Sequence, residues 1–295
     1  MKIERYAAID IGSNAVRILI SNVVTAPDIS PKFMKSSLVR VPIRLGEDSF
    51  TIGEISPQNL KRMVKAMKAF KLIMKVNNVK HYMACATSAL REATNAAQVV
   101  DTVQKKTGVN IQIIDGKREA EMISTSNQFA SIKKNRTFLF IDVGGGSTEF
   151  SILENGERLA SKSFKVGTVR MLNNLVSPRV WEEIKLWIDA HTKAYPKLAL
   201  LGSGGNINKL FKIAGIKEGR PLTAIKLNTL YSHLSGLTYE ERILKYELNP
   251  DRSDVIIPAS QIFLKALHWS GASEIYVPKI GLSDGMIKVL YRENN

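Results

Sequence analysis

Tyr6-Ala7-Ala8-Ile9-Asp10-Ile11-Gly12-Ser13-Asn14 and Phe138-Leu139-Phe140-Ile141-Asp142-Val143-Gly144-Gly145-Gly146-Ser147-Thr148 are two versions of one pattern. Each is an apolar run that ends in Asp, one more apolar residue, then glycine and small polar residues. A second apolar stretch follows each, Val16 to Val23 and Phe150 to Leu153, and reads as the return strand of a hairpin. Two copies nearly half the chain apart point to two similar α/β domains and not to a short-period solenoid.

The loops suggest phosphate chemistry. A glycine after a strand lets backbone N–H groups come close to phosphate oxygens, because no Cβ intervenes. Gly12, Ser13 and Asn14 can form one such cradle, and Gly144, Gly145, Gly146, Ser147 and Thr148 the other. Asp10 and Asp142 would hold Mg²⁺ directly or through water, as that hard, hydrated cation prefers. One glycine-rich turn is weak evidence, since hairpins use the same residues; two matched loops are stronger. A third turn, Leu201-Gly202-Ser203-Gly204-Gly205-Asn206, leads from a strand into a helix. It reads either as an anion site at a helix N-terminus, with Gly204 at the phosphate, or as a simple turn.

Working outward, the 295 residues can bury two medium cores. No apolar run reaches the ~20 residues of a membrane span, and Met1 to Arg5 leads straight into a strand, so a cytoplasmic protein with no membrane partner is expected. Cys85, the single cysteine, sits in an apolar strand and forms no internal disulfide, and the four histidines lack ligand spacing. Lys and Arg outnumber Asp and Glu by 42 to 27, and the net charge of +15 favours polyanionic partners. Part of that charge is a stripe: Pro57 to Val76 reads as a helix with Leu60, Met63, Val64, Met67 and Phe70 on one face and Lys61, Lys65, Lys68, Lys71 and Lys75 on another. The sequence alone ranks a solvated face above a polyanion track.

Other elements follow from periodicity. Strands are expected at His81 to Ala86, Asn110 to Ile114, Lys197 to Leu201 and Glu274 to Pro278. Helices are expected at Ala96 to Thr107, from near Arg118, at Val180 to Tyr195, at Asn206 to Ala214, and at Ser253 to Ser270 with a kink at Pro258. Gly281 to Gly285 reads as a turn, Met286 to Tyr291 as a closing helix, and Ser131 to Arg136 as a surface connection.

With these residues in view, the chain resembles the exopolyphosphatase/guanosine pentaphosphate phosphohydrolase family. The resemblance rests on Ile9 to Asn14, Ala86-Thr87-Ser88-Ala89-Leu90-Arg91-Glu92-Ala93-Thr94-Asn95, Gly116-Lys117-Arg118-Glu119-Ala120 and Ile141 to Glu149, with Arg252 to Pro258 and Leu282 to Gly285 in support. The first and last of the four main motifs are shared in outline with actin, Hsp70-type chaperones and sugar kinases; the middle two are far more specific. The resemblance implies two actin-like domains of the ribonuclease H-like superfold with a cleft between them, residues 1–120 with 286–295 and residues 121–285. It also implies hydrolysis of terminal phosphoanhydride bonds of inorganic polyphosphate or guanosine pentaphosphate, with a divalent metal, normally Mg²⁺.

On the same basis Glu119 is the general base; by position alone it is only a first-turn acid stabilised by the helix macrodipole. Glu149 is implied to assist metal or water positioning. Arg91 would neutralise charge on the transferred phosphoryl group, while Arg252 is either a second such group or a salt-bridging surface arginine. The chain departs from the family in two places, with Arg118 where a second acid is common and Ser283 where arginine often stands. It resembles the short form without the appended helical module, and a homodimer is among the expected states. Two rivals remain at this stage: an ATP-dependent kinase of the same superfold and a non-catalytic polyanion-binding module. The aromatic clusters of an RNA-binding module are missing, so nucleic acid is not an expected partner.

Overall fold

The computed structural model describes residues 1–125, 136–278 and 281–295, so the expected connection at 131–135 lies outside the described residues. The chain divides into two compact units, Met1–Ser126 with Gly281–Asn295, and Asn127–Ile280.

The first unit opens with a meander of β1 (Lys2–Ile11), β2 (Val16–Ala26) and β3 (Ile29–Val41). It continues with α1 (Leu45–Thr51), α2 (Pro57–Val76), β4 (His81–Ala86), α3 (Ser88–Glu92), α4 (Ala96–Thr107), β5 (Gln112–Ile113) and α5 (Gly116–Ser124). The sheet order is β3-β2-β1-β4-β5, antiparallel through the meander and parallel from β1 to β5. The inner half of β1 is buried on both faces, as a strand covered by helices on both sides must be. Ala7, Ile9 and Ile11 share a core with Met63, Met67 and Phe70 of α2 and with Val99 and Val103 of α4. The alternate residues, Ala8 and Asp10 among them, point to the other face.

The second unit repeats this plan. Its meander is β6 (Thr137–Val143), β7 (Thr148–Glu154) and β8 (Glu157–Phe164), followed by α6 (Thr168–Leu172), α7 (Pro178–Thr192), β9 (Ala199–Ser203), α8 (Gly205–Ile213) and β10 (Leu222–Thr223). Then come α9 (Ala224–Ser235), α10 (Tyr239–Tyr246), α11 (Pro250–Ser253), α12 (Ile256–Ser270) and β11 (Glu274–Tyr276). The order β8-β7-β6-β9-β11-β10 is that of the first unit with one antiparallel strand added at the far edge. Leu139, Ile141 and Phe150 of its sheet pack with Ile207, Ile262 and Phe263 from the helices. Helix α13 (Leu282–Glu293) belongs to the first unit, where it lies against β1 and α5 and brings Tyr291 edge-on to Tyr6.

Several elements depart from the sequence reading. The helix expected over Ser253 to Ser270 begins later, at Ile256, behind the short α11 that ends at Ser253, and Pro258 does not interrupt it. The proline stands in the first turn of α12, where an N–H would have no intrahelical acceptor. Gly281 to Gly285 is not a free turn, since Leu282 already starts α13 and Asp284 accepts a hydrogen bond from the Gly281 amide at 3.0 Å. The third strand of each meander went unread. β3 is exposed along most of its length and β8 is strongly charged, so neither shows the alternation that marks a half-buried strand.

Candidate active site

Each unit carries its loop in the same place. In the first, Ile11 pairs with Val16 and the Gly12 amide donates to the Ala15 carbonyl at 3.1 Å, closing a four-residue loop. In the second, Val143 pairs with Thr148 and the Gly144 amide donates to Ser147 at 3.0 Å. The helix after the third strand then braces each loop from behind. Arg44 and Gly46, at the start of α1, donate their amides to the carbonyls of Asn14 and Ser13 at 3.1 and 2.8 Å. Thr168 and Val169, at the start of α6, donate to Gly144 and Gly145 at 3.0 and 2.8 Å, and Arg170 donates Nε to the Gly146 carbonyl at 2.7 Å.

With their carbonyls held this way, the amides of Gly145 and Gly146 donate to no backbone acceptor among the described residues. This is the polarity of an anion cradle. Gly167 makes the bracing possible: a Cβ there would sit 2.4 Å from the Gly145 carbonyl oxygen. Buried Arg170 and Gly167 hold this loop in place, and sequence reading did not single them out. The available signal was a Gly-Thr-Val-Arg run opening a helix directly after a strand.

The acids differ between the loops. Asp10 lies opposite Arg17 across the β1–β2 hairpin, and the two form an ion pair at 3.1 Å. Burial pushes the Asp10 carboxyl above the usual range, and Arg17 opposes that shift. Asp142 lies opposite Glu149 across the β6–β7 hairpin, and their carboxylate oxygens come within 4.8 Å of one another. Glu149 is buried and accepts hydrogen bonds from Ser147 Oγ at 2.7 Å and Ser163 Oγ at 2.9 Å. On the other side of Asp142, strand β9 places Ser203 in register. Gly204 follows with φ of 110°, a conformation other residues rarely adopt, and its added Cβ would lie 3.6 Å from the Asp142 carboxylate and 3.0 Å from the Val143 carbonyl. The Arg252 guanidinium packs on Gly205, so the third glycine turn, Arg252 and Asp142 share one region of the second unit. Two carboxylates this close suit a hard divalent cation bound through oxygen.

In the first unit, Ser13 Oγ and Ser88 Oγ are hydrogen-bonded at 2.9 Å, which ties the loop to the Thr87 to Asn95 motif. Arg91 from that motif donates Nη1 to the Ile114 carbonyl at 2.8 Å, so part of its guanidinium anchors the segment leading into α5. Asp115 caps α5 by accepting the Arg118 amide at 2.7 Å, and Glu119 follows within the first turn. Glu119 is only 8% exposed, unlike a solvated first-turn acid. Arg118 turns away to Glu121 and Glu293, at 3.6 and 3.7 Å. Cys85 lies beside Asp10 in register, and burial, reinforced by the charge of Asp10, pushes its thiol up to about 12; it stays protonated.

Two acid-bearing glycine loops on a duplicated α/β fold define a class of protein that handles phosphate groups. More specifically, the Ppx/GppA phosphatase family model matches residues 31–292, and the chain belongs to that family. It is 24% identical to exopolyphosphatase 1 of Mycobacterium tuberculosis, with 96% of this chain and 87% of that protein aligned. Exopolyphosphatase 2 of the same organism is also 24% identical, over 97% of this chain and 98% of the relative. Among solved structures, an exopolyphosphatase from Cytophaga hutchinsonii superposes with a TM-score of 0.83 at 24% identity, covering 98% of this chain and 97% of that one. The Aquifex aeolicus Ppx/GppA family member gives 0.76 at 22%, with both chains fully covered. The expected α/β fold of two similar units is borne out. Among the described residues, no helix is long and apolar enough to cross a membrane.

Proposed function

We propose that this chain is a cytoplasmic phosphatase that removes terminal orthophosphate from inorganic polyphosphate, with guanosine pentaphosphate as a second substrate of the same chemistry. The observation that carries the reading is the Asp142–Glu149 pair beside a braced triple-glycine loop, in a member of a phosphatase family whose relatives include exopolyphosphatases. A divalent cation held by Asp142 and Glu149, with Mg²⁺ the expected ion and Asp10 a contributor through water, would screen the negative charge of the phosphates.

The protein's own residues do the rest. The amides of Gly145 and Gly146, with Ser147 and Thr148, bind non-bridging oxygens, joined in the first unit by Gly12, Ser13 and Asn14. Gly204 and Arg252 line the same phosphates from the side of β9. Glu119 takes a proton from water as the water oxygen attacks the terminal phosphorus, and the bridging P–O bond breaks toward the shortened chain. Arg91 meets the charge that builds on the transferred group.

Orthophosphate release with Mg²⁺ from short and long polyphosphate, guanosine pentaphosphate and ATP, measured in parallel, tests the reading. Release from polyphosphate with water as sole acceptor supports it. Turnover of ATP alone, with ADP formed only when an acceptor is present, would replace it with a kinase. Glu119→Gln is expected to lower the rate by about 10²-fold or more, as loss of a general base does; a wild-type rate in the folded variant removes Glu119 from that role.

A further inference from the structure

The face of α2 that turns away from the first unit's core carries Lys61, Lys65, Lys68, Lys71 and Lys75, all exposed. Their spacings of four, three, three and four residues keep them on one side of the helix. They span about 21 Å of helix axis at about 1.5 Å per residue. The helix contains no Asp or Glu. Among the described residues no carboxylate pairs with Lys61, Lys65, Lys68 or Lys75, although surface lysines elsewhere in the chain do find acids, as Lys35 finds Asp284 and Lys105 finds Asp101. Lys71 instead donates to the Thr107 carbonyl at the end of α4, which fixes the stripe beside exposed Lys106.

A solvated helix face gains nothing from excluding acids. Like charges three and four residues apart destabilise a helix, whereas Glu–Lys pairs at the same spacing stabilise it. A row of ammonium groups without counter-charges is suited to a ligand that brings its own repeating negative charge. From this geometry we propose that the lysine face of α2 is an accessory binding track for the distal part of a long inorganic polyphosphate chain.

The chemistry of the face selects among polyanions. Phe70, the only aromatic residue of the helix, is buried, and Arg62 spends its guanidinium on the Pro42 and Ile43 carbonyls and on Asn59. The track therefore offers point charges but no stacking platform for a nucleobase, and matches a chain made of phosphate alone. The face also lies across the sheet from Asp10: α2 packs on Ala7, Ile9 and Ile11, and Asp10 projects to the opposite side of β1. A chain of a few phosphates cannot hold both regions, while a long one can, and its second attachment raises the effective concentration at the first. The proposal rests on the polyphosphatase reading and adds chain-length selection to it.

The test compares the full-length wild type with a Lys61→Gln, Lys65→Gln, Lys68→Gln, Lys75→Gln variant and with the corresponding four-arginine variant. Glutamine keeps the helix propensity of an exposed site, so folding is retained. KM for a polyphosphate of several hundred units is expected to rise about tenfold in the glutamine variant with kcat unchanged, as loss of one arm of a two-point attachment gives. KM for tetraphosphate should not move, and arginine should restore the long-chain value. Binding of long polyphosphate in metal-free buffer should lose about 3 from its log–log salt slope, at roughly 0.7 per neutralised phosphate for a single strand. Unchanged long-chain KM and slope overturn the proposal. So do equal losses for both chain lengths, or equal displacement by single-stranded RNA of matched charge. If no polyphosphate is hydrolysed by any variant, the catalytic reading fails, and the binding slope still decides the track.

Discussion

The β1–β2 and β6–β7 hairpins share strand order, loop length, loop-closing hydrogen bond and a helix that braces the loop from behind, yet they place opposite charges at one equivalent position. Seven residues after the acid, the first hairpin has Arg17 and the second has Glu149, and in both cases that residue pairs directly across the strands. The first unit thus neutralises Asp10 internally, and the second doubles the negative charge beside Asp142. A duplicated scaffold has been given two electrostatic tasks. The second hairpin gathers acids that suit a cation, and the first pairs its carboxylate with an arginine.

The largest effects should follow from breaking the second hairpin. Asp142→Asn and Glu149→Gln are each expected to lower metal-dependent phosphate release by about 10³-fold with little change in melting temperature, on the scale of losing one electrostatic stabiliser of the reaction. Gly167→Ala comes next: with a Cβ 2.4 Å from the Gly145 carbonyl, the loop or the start of α6 must move, costing about 1–3 kcal/mol or more in urea unfolding. Arg170→Met should raise KM for short polyphosphate by about tenfold with a smaller effect on kcat, because the cradle loses its brace while the acids stay in place.

Smaller changes sharpen the contrast from the first hairpin. Arg17→Gln should reduce activity by about tenfold or less. The raised pKa of Asp10 predicts a pH effect with a definite sign. A carboxyl held above its ordinary value in the folded state contributes its full stability below the ordinary carboxylate range, near pH 4, and loses it as pH rises through the folded value. The unfolding free energy of the metal-free protein should therefore carry a decline above pH 4 that Asp10→Asn removes. The asparagine variant should melt no lower than wild type at neutral pH. Iodoacetamide at pH 8 should leave Cys85 of the native protein unmodified over hours, since a thiol pushed up to about 12 supplies almost no thiolate.

Much of this was legible in the sequence because it is local. The two Asp-Gly loops and the lysine-striped helix are each read from one continuous run of sequence, where strand, turn and helix periodicities act, whereas Glu119 stands out only through the family resemblance and is by position alone a first-turn acid. What escaped depends on separation in the chain. Arg170 reaches Gly146 from 24 residues away, and Ser88 reaches Ser13 from 75. The pairings of Arg17 with Asp10 and of Glu149 with Asp142 were within reach, since a four-residue hairpin loop fixes each pair once the strands are aligned. The third strands were hidden for another reason: an edge strand exposed on both faces has no apolar pattern to show. Pro258 misled because proline breaks a helix interior but is at home in its first turn.

The contrast between the hairpins reduces to where a divalent ion binds. Mn²⁺ titration of the metal-free protein, followed by electron paramagnetic resonance, compares wild type, Glu149→Gln and Asp10→Asn directly. Glu149→Gln should weaken binding by about 10²-fold, the scale of removing one ligand or its support, and Asp10→Asn should change it by about threefold or less. The reverse order, with Asp10→Asn abolishing binding and Glu149→Gln leaving it intact, would place the cation at the first hairpin and not at the second.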